Sequence, residues 1–99
     1  MKEIVFRKTK PKFYFGKSNG KLLVLCEKAL QEVFGIKNSP RKIKIQISKQ
    51  KNPLGFKAKI AENDHYIQIK DKLVALDIST IYFFRENYKN KTFWLTCTE

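Results

Sequence analysis

The chain has 99 residues, and its content of 42% hydrophobic and 13% aromatic residues is typical of a folded protein and not of a disordered one. It carries 21 Lys and Arg against 9 Asp and Glu, which gives a formal net charge of +12. Because no apolar stretch approaches the roughly 20 residues of a membrane span and the basic N-terminus lacks the apolar segment of a signal peptide, we expect one soluble, cytoplasmic domain covering residues 1–99.

The positive charge is concentrated in the first part of the chain. Residues 1–60 contain 16 basic and 3 acidic residues, a net of +13, whereas residues 61–99 contain 5 basic and 6 acidic residues, a net of −1. No acidic residue occurs between Glu32 and Glu62. Such asymmetry indicates a polyanionic partner.

The N-terminal third predicts two strands followed by a helix. Residues 3–7 and 12–15 have strand composition and predict a short strand pair. The segment Ser18-Asn19-Gly20 is typical of a turn and helix start, and the apolar residues after it recur at helical spacing as far as Phe34. These apolar residues are Leu22, Leu25, Cys26, Ala29, Leu30, Val33 and Phe34. The pattern predicts an amphipathic helix that ends at Gly35.

The middle of the chain predicts a hairpin with one apolar and one basic face. Residues 42–48 alternate strictly between Ile and polar side chains, and residues 56–60 alternate again after the turn sequence at 52–55. The lysines of both strands would then share one face of the hairpin.

The last third predicts further antiparallel strands. Residues 65–70 and 73–76 follow each other across a tight turn, and residues 80–85 and 91–97 suggest a final hairpin. Residues 77–84 also fit a helical turn, and the pattern leaves both assignments open. The whole predicts an α+β fold, a mostly antiparallel sheet of five to seven strands with one main amphipathic helix packed on one face.

The basic hairpin face is the leading candidate site. Alternate residues of a strand lie about 6.6–6.8 Å apart, so Lys42 and Lys44 could meet successive phosphates of an extended strand, with Lys57 and Lys59 widening the patch. The predicted phosphate contacts are Arg41, Lys42, Lys44, Lys49, Lys51, Lys57, Lys59 and the N-terminal Lys8, Lys10 and Lys12.

Two further features near the N-terminus suggest anion or base binding. The segment from Arg7 to Phe15 combines basic residues with aromatic ones. We expect Phe13 and Phe15 in the core and Tyr14 on the opposite side, available to stack on a base. Lys17 and Lys21 flank the predicted helix start, where backbone N–H groups could hold a phosphate, although the spacing does not match a nucleotide-binding loop.

The sequence therefore predicts a non-enzymatic nucleic-acid-binding domain with little sequence specificity, and it does not distinguish DNA from RNA. A rival interpretation is a protein-binding module or inhibitor that docks an acidic protein on the same surface, with Trp94 as an aromatic anchor. A metal-dependent nuclease using Glu62, Asp64 and His65 is a minor alternative. Two cysteines and one histidine are too few for a structural zinc site, and we expect no metal or small-molecule cofactor.

Overall fold

The computed structural model describes residues 1–62 and 65–99, and in these residues the chain forms eight strands and two helices. The strands are β1 (Lys2–Lys10), β2 (Phe13–Ser18), β3 (Lys21–Cys26), β4 (Lys42–Ser48), β5 (Phe56–Ile60), β6 (Tyr66–Ile69), β7 (Lys72–Ala75) and β8 (Phe93–Thr98). The helices are α1 (Glu27–Phe34) and α2 (Ile78–Tyr88). Neither helix in this described part of the chain has the length and apolar character needed to cross a membrane.

The strands form one antiparallel sheet in the order β3-β2-β1-β4-β8-β5-β6-β7, which curves into a half-barrel. The predicted α+β class is confirmed. The predicted count of five to seven strands and one helix is wrong, since the described residues form eight strands and two helices.

The first difference lies at residues 21–26, which form β3 and not the first half of a helix. Asn19 and Gly20 both have positive φ angles, 51° and 78°, and they link Ser18 directly to Lys21 across the strand pair. Two consecutive residues of positive φ are typical of the Asn-Gly hairpin turn, whose twist matches that of the flanking strands. The helix is therefore restricted to α1, which ends at Phe34 and is followed, as predicted, by Gly35 in the left-handed conformation.

The second difference is the position of β8. It pairs with β4 on one side and β5 on the other, so the predicted hairpin between β4 and β5 is wrong. The predicted turn does form, with the Gly55 N–H donating to the Asn52 carbonyl at 2.9 Å, but Gly55 lies against Trp94, Leu95 and Thr96 of β8 and not against β4. Residues 78–88 form α2, so the helical alternative is correct and the predicted final hairpin is wrong.

The core fills the concave face of the sheet. Alternate residues of each strand point toward the two helices, and Phe93 lies at the centre, fully buried, with ring centroids 5.5 Å from Phe84 and 4.8 Å from Tyr88. An apolar cavity of about 40 Å³ remains between sheet and helices, well below the roughly 300–1,000 Å³ of a typical ligand pocket. The concave face is thus occupied by the core, and the outer face is the broad surface open to a partner.

Helix α2 also protects one edge of the sheet. Thr80 is 0% exposed, and its hydroxyl accepts a hydrogen bond from the Val24 N–H at 2.8 Å and donates one to the Val24 carbonyl at 3.2 Å. Because β3 is an edge strand, these groups have no strand partner on that side. One threonine therefore satisfies both backbone groups of Val24.

Candidate nucleic-acid interface

The outer face carries cations where β1 meets β4. Strict alternation puts Ile43 and Ile45 into the core, so Lys42 and Lys44 point outward. The register places Arg7 of β1 directly opposite Lys42. Opposed residues on antiparallel strands lie about 4.5–5.5 Å apart at Cα, so these two cations are neighbours although they lie far apart in sequence.

Further cations surround this pair at the same end of the sheet. The Lys8 N–H donates to the Arg41 carbonyl at 2.8 Å, which ties the start of β4 to β1. Lys10 ends β1, and Lys12 lies in the following turn with a φ of 71°. We call the exposed residues Arg7, Lys10, Lys12, Arg41 and Lys42 the N-terminal basic cluster. Among the ion pairs of the described residues, none involves a member of this cluster.

Three of the predicted contact residues instead form ion pairs. The Lys8 ammonium donates to the Glu27 carboxylate, and this hydrogen bond, followed by one from Ser39, lowers the pKa of Glu27 below its ordinary value. Lys21 pairs with Glu86 at 2.9 Å, and Lys44 lies 3.7 Å from Glu3. The charge of each of these lysines is partly offset, so they contribute less to the potential of the surface.

Lys57 and Lys59 belong to a second, separate surface. Lys57 lies opposite Trp94, whereas Lys44 lies opposite Thr98 on the other side of β8. Lys44 and Lys57 are therefore separated by about 10 Å across the sheet and about 13 Å along the strands. Two adjoining open grooves beside β5 are lined by lysines, and we call this surface the lysine groove. Its lysines are Lys57, Lys59, Lys70, Lys89 and Lys91.

Three lysines of this groove are not among the predicted contacts, because they are scattered through a segment of nearly balanced charge. Lys70 lies in the β6–β7 turn, and Lys89 and Lys91 lie between α2 and β8. The groove also contains Glu62. Only the pairing of β5 with β6 and β8 brings the lysines together, and the local pattern carries no signal of that pairing.

The remaining predicted lysines lie apart from both surfaces. Lys49 and Lys51 are exposed in the segment after β4, at the opposite end of that strand from Lys42. The Lys49 ammonium lies 5.8 Å from the centroid of the Tyr88 ring, next to α2. The predicted contacts therefore divide into separate groups and do not form one continuous hairpin face.

The predicted role of Tyr14 as a stacking residue is wrong. Its side chain is 0% exposed, and its hydroxyl donates to the Pro40 carbonyl. Burial raises the pKa of Tyr14 above its ordinary value, with smaller and opposing effects from nearby charges, so the phenol remains protonated. The alternation of β2 is the reverse of our expectation, because Tyr14 takes the core position and Phe13 and Phe15 face outward.

The predicted helix start beside Lys17 and Lys21, on which the predicted phosphate site depends, is also wrong. Both residues flank the β2–β3 hairpin turn, and α1 begins only at Glu27. The turn therefore offers no row of unpaired helix N–H groups for an anion.

The other candidate residues are dispersed. Trp94 is half-buried on the outer face between Ser48 and Lys57. Both cysteines are free, and burial, followed by the charge of Glu99, raises the pKa of the Cys97 thiol to about 11, so it is protonated at neutral pH. Asp64 of the nuclease alternative lies outside the described residues, and within residues 1–62 and 65–99 no group of three or more His, Cys, Asp or Glu could hold a metal ion.

Comparison of the chain with protein families, with curated proteins and with solved structures finds no significant match.

Proposed function

We propose that this protein is a small, non-enzymatic nucleic-acid-binding protein that holds the phosphate backbone on the N-terminal basic cluster. The observation that carries the proposal is the direct opposition of Arg7 and Lys42 on the outer face. Like charges opposite each other on a sheet are destabilising. A bound polyanion would offset this repulsion, so the opposition of two cations favours a protein that binds a polyanion.

The charge of the cluster supports the same conclusion. Its five members are exposed, and none forms an ion pair within the described residues. Each phosphate that a cation neutralises releases condensed counterions into the solvent, and this release supplies most of the free energy of non-specific binding. Contacts between Lys or Arg and phosphates carry no base information, so we expect little sequence preference.

A salt titration tests the proposal. We expect the labelled protein to bind DNA or RNA oligonucleotides of about 12 nucleotides at low salt. The plot of log K against log salt concentration should have a slope between about −2 and −3.5, because each of three to five phosphate contacts contributes about −0.7 on a single strand. Fluorescence anisotropy at several NaCl concentrations gives this slope. An absence of binding at low salt, or a slope near zero, would contradict the proposal.

A further inference from the structure

We propose that the bound nucleic acid is a single strand, and that successive bases stack on Phe13 and Phe15. With Arg7 and Lys10 these rings form what we call the aromatic–cation platform. The inference rests on the proposed function and specifies the form of nucleic acid that the outer face would bind.

The two rings are available on the outer face because Tyr14, between them, occupies the core. Phe13 is 43% exposed and Phe15 is half-buried. The core lies on the concave side of the sheet, where the buried residues of both helices pack. Leu22, on the same outer face and 47% exposed, extends the apolar surface toward the β3 edge. Contiguous exposed apolar side chains of this kind indicate a partner surface.

The register gives each ring a cation as its neighbour on β1. Phe15 lies opposite Arg7, and Phe13 lies opposite Lys10. Arg7 in turn lies opposite Lys42, so the platform is continuous with the N-terminal basic cluster. Aromatic faces and phosphate-binding cations thus alternate across neighbouring strands, which is the combination that binders of single strands use.

A β-bulge creates the second of these pairs. Between Arg7 and Lys10 the register shifts, so that three steps along β1 match two steps along β2. A regular register would place Thr9 opposite Phe13. Bulges re-aim side chains in this way and are frequent at functional sites. Because of the bulge, the residue opposite Phe13 is the cation Lys10 and not the neutral Thr9.

The spacing of the rings suits an unpaired strand. Alternate residues of a strand lie about 6.6–6.8 Å apart, so two bases of an extended strand could each meet one ring. In a duplex the base faces are stacked on each other and closed to side chains, whereas a single strand exposes them. The platform therefore discriminates by the accessibility of base faces and not by base identity.

Other occupants fit the charges less well. A second copy that docked symmetrically on the same face would bring the cations of one platform against those of the other, and like charges would meet. An acidic protein would also complement the cations, but an aromatic hot spot fills a well-packed, desolvated pocket of its partner, whereas Phe13 and Phe15 lie on an open sheet face beside cations. We therefore assign the platform to a single strand of nucleic acid.

The test replaces both rings with Leu, which keeps the face apolar and removes the aromatic faces. We expect Phe13→Leu/Phe15→Leu to bind single-stranded oligo(dT) and oligo(U) at least about 10-fold more weakly than the wild type, because one stacked base is worth about 5- to 150-fold in affinity. The slope of log K against log salt should not change, and binding of a duplex of equal length should remain within about 2-fold. Anisotropy measures all three, and circular dichroism checks the fold.

A second variant keeps the test decisive if the double variant does not fold. Trp94 is the only tryptophan of the chain. Phe13→Trp/Trp94→Phe therefore places the single indole on the platform, where it retains a stacking face. We expect oligo(dT) or oligo(U) to quench its emission and a duplex to leave it unchanged.

The outcomes separate the platform from the proposed function. Undiminished binding of single strands by Phe13→Leu/Phe15→Leu, or an equal loss for single strands and duplex, would overturn the platform and leave the phosphate-binding proposal intact. Equal weakening toward polyglutamate would overturn it in favour of an acidic protein partner, and a wild-type dimer that the Leu substitutions disrupt would overturn it in favour of a second copy. If the wild type binds no nucleic acid at low salt, the proposed function itself fails.

Discussion

Reversing the charges of Arg7 and Lys42 together is expected to weaken nucleic-acid binding by roughly 10- to 100-fold at low salt. The double variant Arg7→Glu/Lys42→Glu removes two phosphate contacts from the N-terminal basic cluster and puts two carboxylates in their place. The slope of log K against log salt should become shallower by about 1.4, which is two contacts at about 0.7 each. Both side chains are exposed, so we expect the fold to tolerate the change. Anisotropy titrations of wild type and variant give both quantities.

The chain offers a matched control in the lysine groove. Lys57→Glu/Lys59→Glu changes the net charge by the same amount as Arg7→Glu/Lys42→Glu. Each substitution lowers the charge by two, so both double variants go from a formal charge of +12 to +8. Lys57 and Lys59 are also exposed strand residues on the same face of the sheet. We expect this variant to lose less than about 3-fold in affinity. Equal losses in the two variants would mean that only total charge matters, and a larger loss in the control would assign the site to the groove.

Replacing Thr80 with Val is expected to lower the free energy of unfolding by about 2 kcal/mol, because the Val24 N–H and carbonyl lose their partner at the β3 edge. The side-chain volume changes little, so the effect isolates the hydroxyl. For a chain of this size the melting temperature should fall by roughly 8–16 °C. Urea unfolding followed by circular dichroism measures the free energy.

The conservative replacement of Thr80 by Ser is the control for this prediction. It keeps the hydroxyl and removes one methyl group, which is expected to cost about 1 kcal/mol. Hydrogen exchange gives a second readout, since the Val24 amide should exchange faster in Thr80→Val than in Thr80→Ser. A Val variant as stable as the wild type would show that the edge contact contributes nothing to the stability.

Local patterns predicted the elements that local chemistry determines. The strand alternation at residues 42–48, the end of α1 at Gly35 and the turn at residues 52–55 all follow from neighbouring side chains, and all are present. The prediction of a helix at residues 21–26 is wrong because a short run of apolar residues fits two structures equally well. It can form one face of a helix, or it can form a strand that is covered on one side and partly exposed on the other. The Asn19-Gly20 pair was the signal that could have separated the two, since it favours a two-residue hairpin.

The pairing of strands could not be predicted from local patterns. Strand β8 is the last element of the chain, yet it lies between β4 and β5. A turn between two strands normally indicates that they pair, and the chain carries no local sign that a later strand separates them. This insertion divides the predicted lysine face into two surfaces.

The candidate site was predicted in part. The sequence predicts Lys10, Lys12, Arg41 and Lys42 as phosphate contacts, and the structure places these residues at the same end of the sheet as Arg7. The sequence favours Tyr14 over the phenylalanines as the stacking residue, because alternation alone does not say which side of a strand faces the core. That side depends on the position of the helices and, at Phe13, on a bulge that pairs it with Lys10.

Mapping the bound oligonucleotide by NMR tests the central claim most directly. Backbone amide shifts would be followed while single-stranded oligo(dT) is added to the labelled wild-type protein at low salt. We expect the largest changes at residues 7–17 and 41–44, which carry the N-terminal basic cluster and the aromatic–cation platform. Largest changes at residues 57–61 and 89–92, or changes of equal size over the whole surface, would contradict the account.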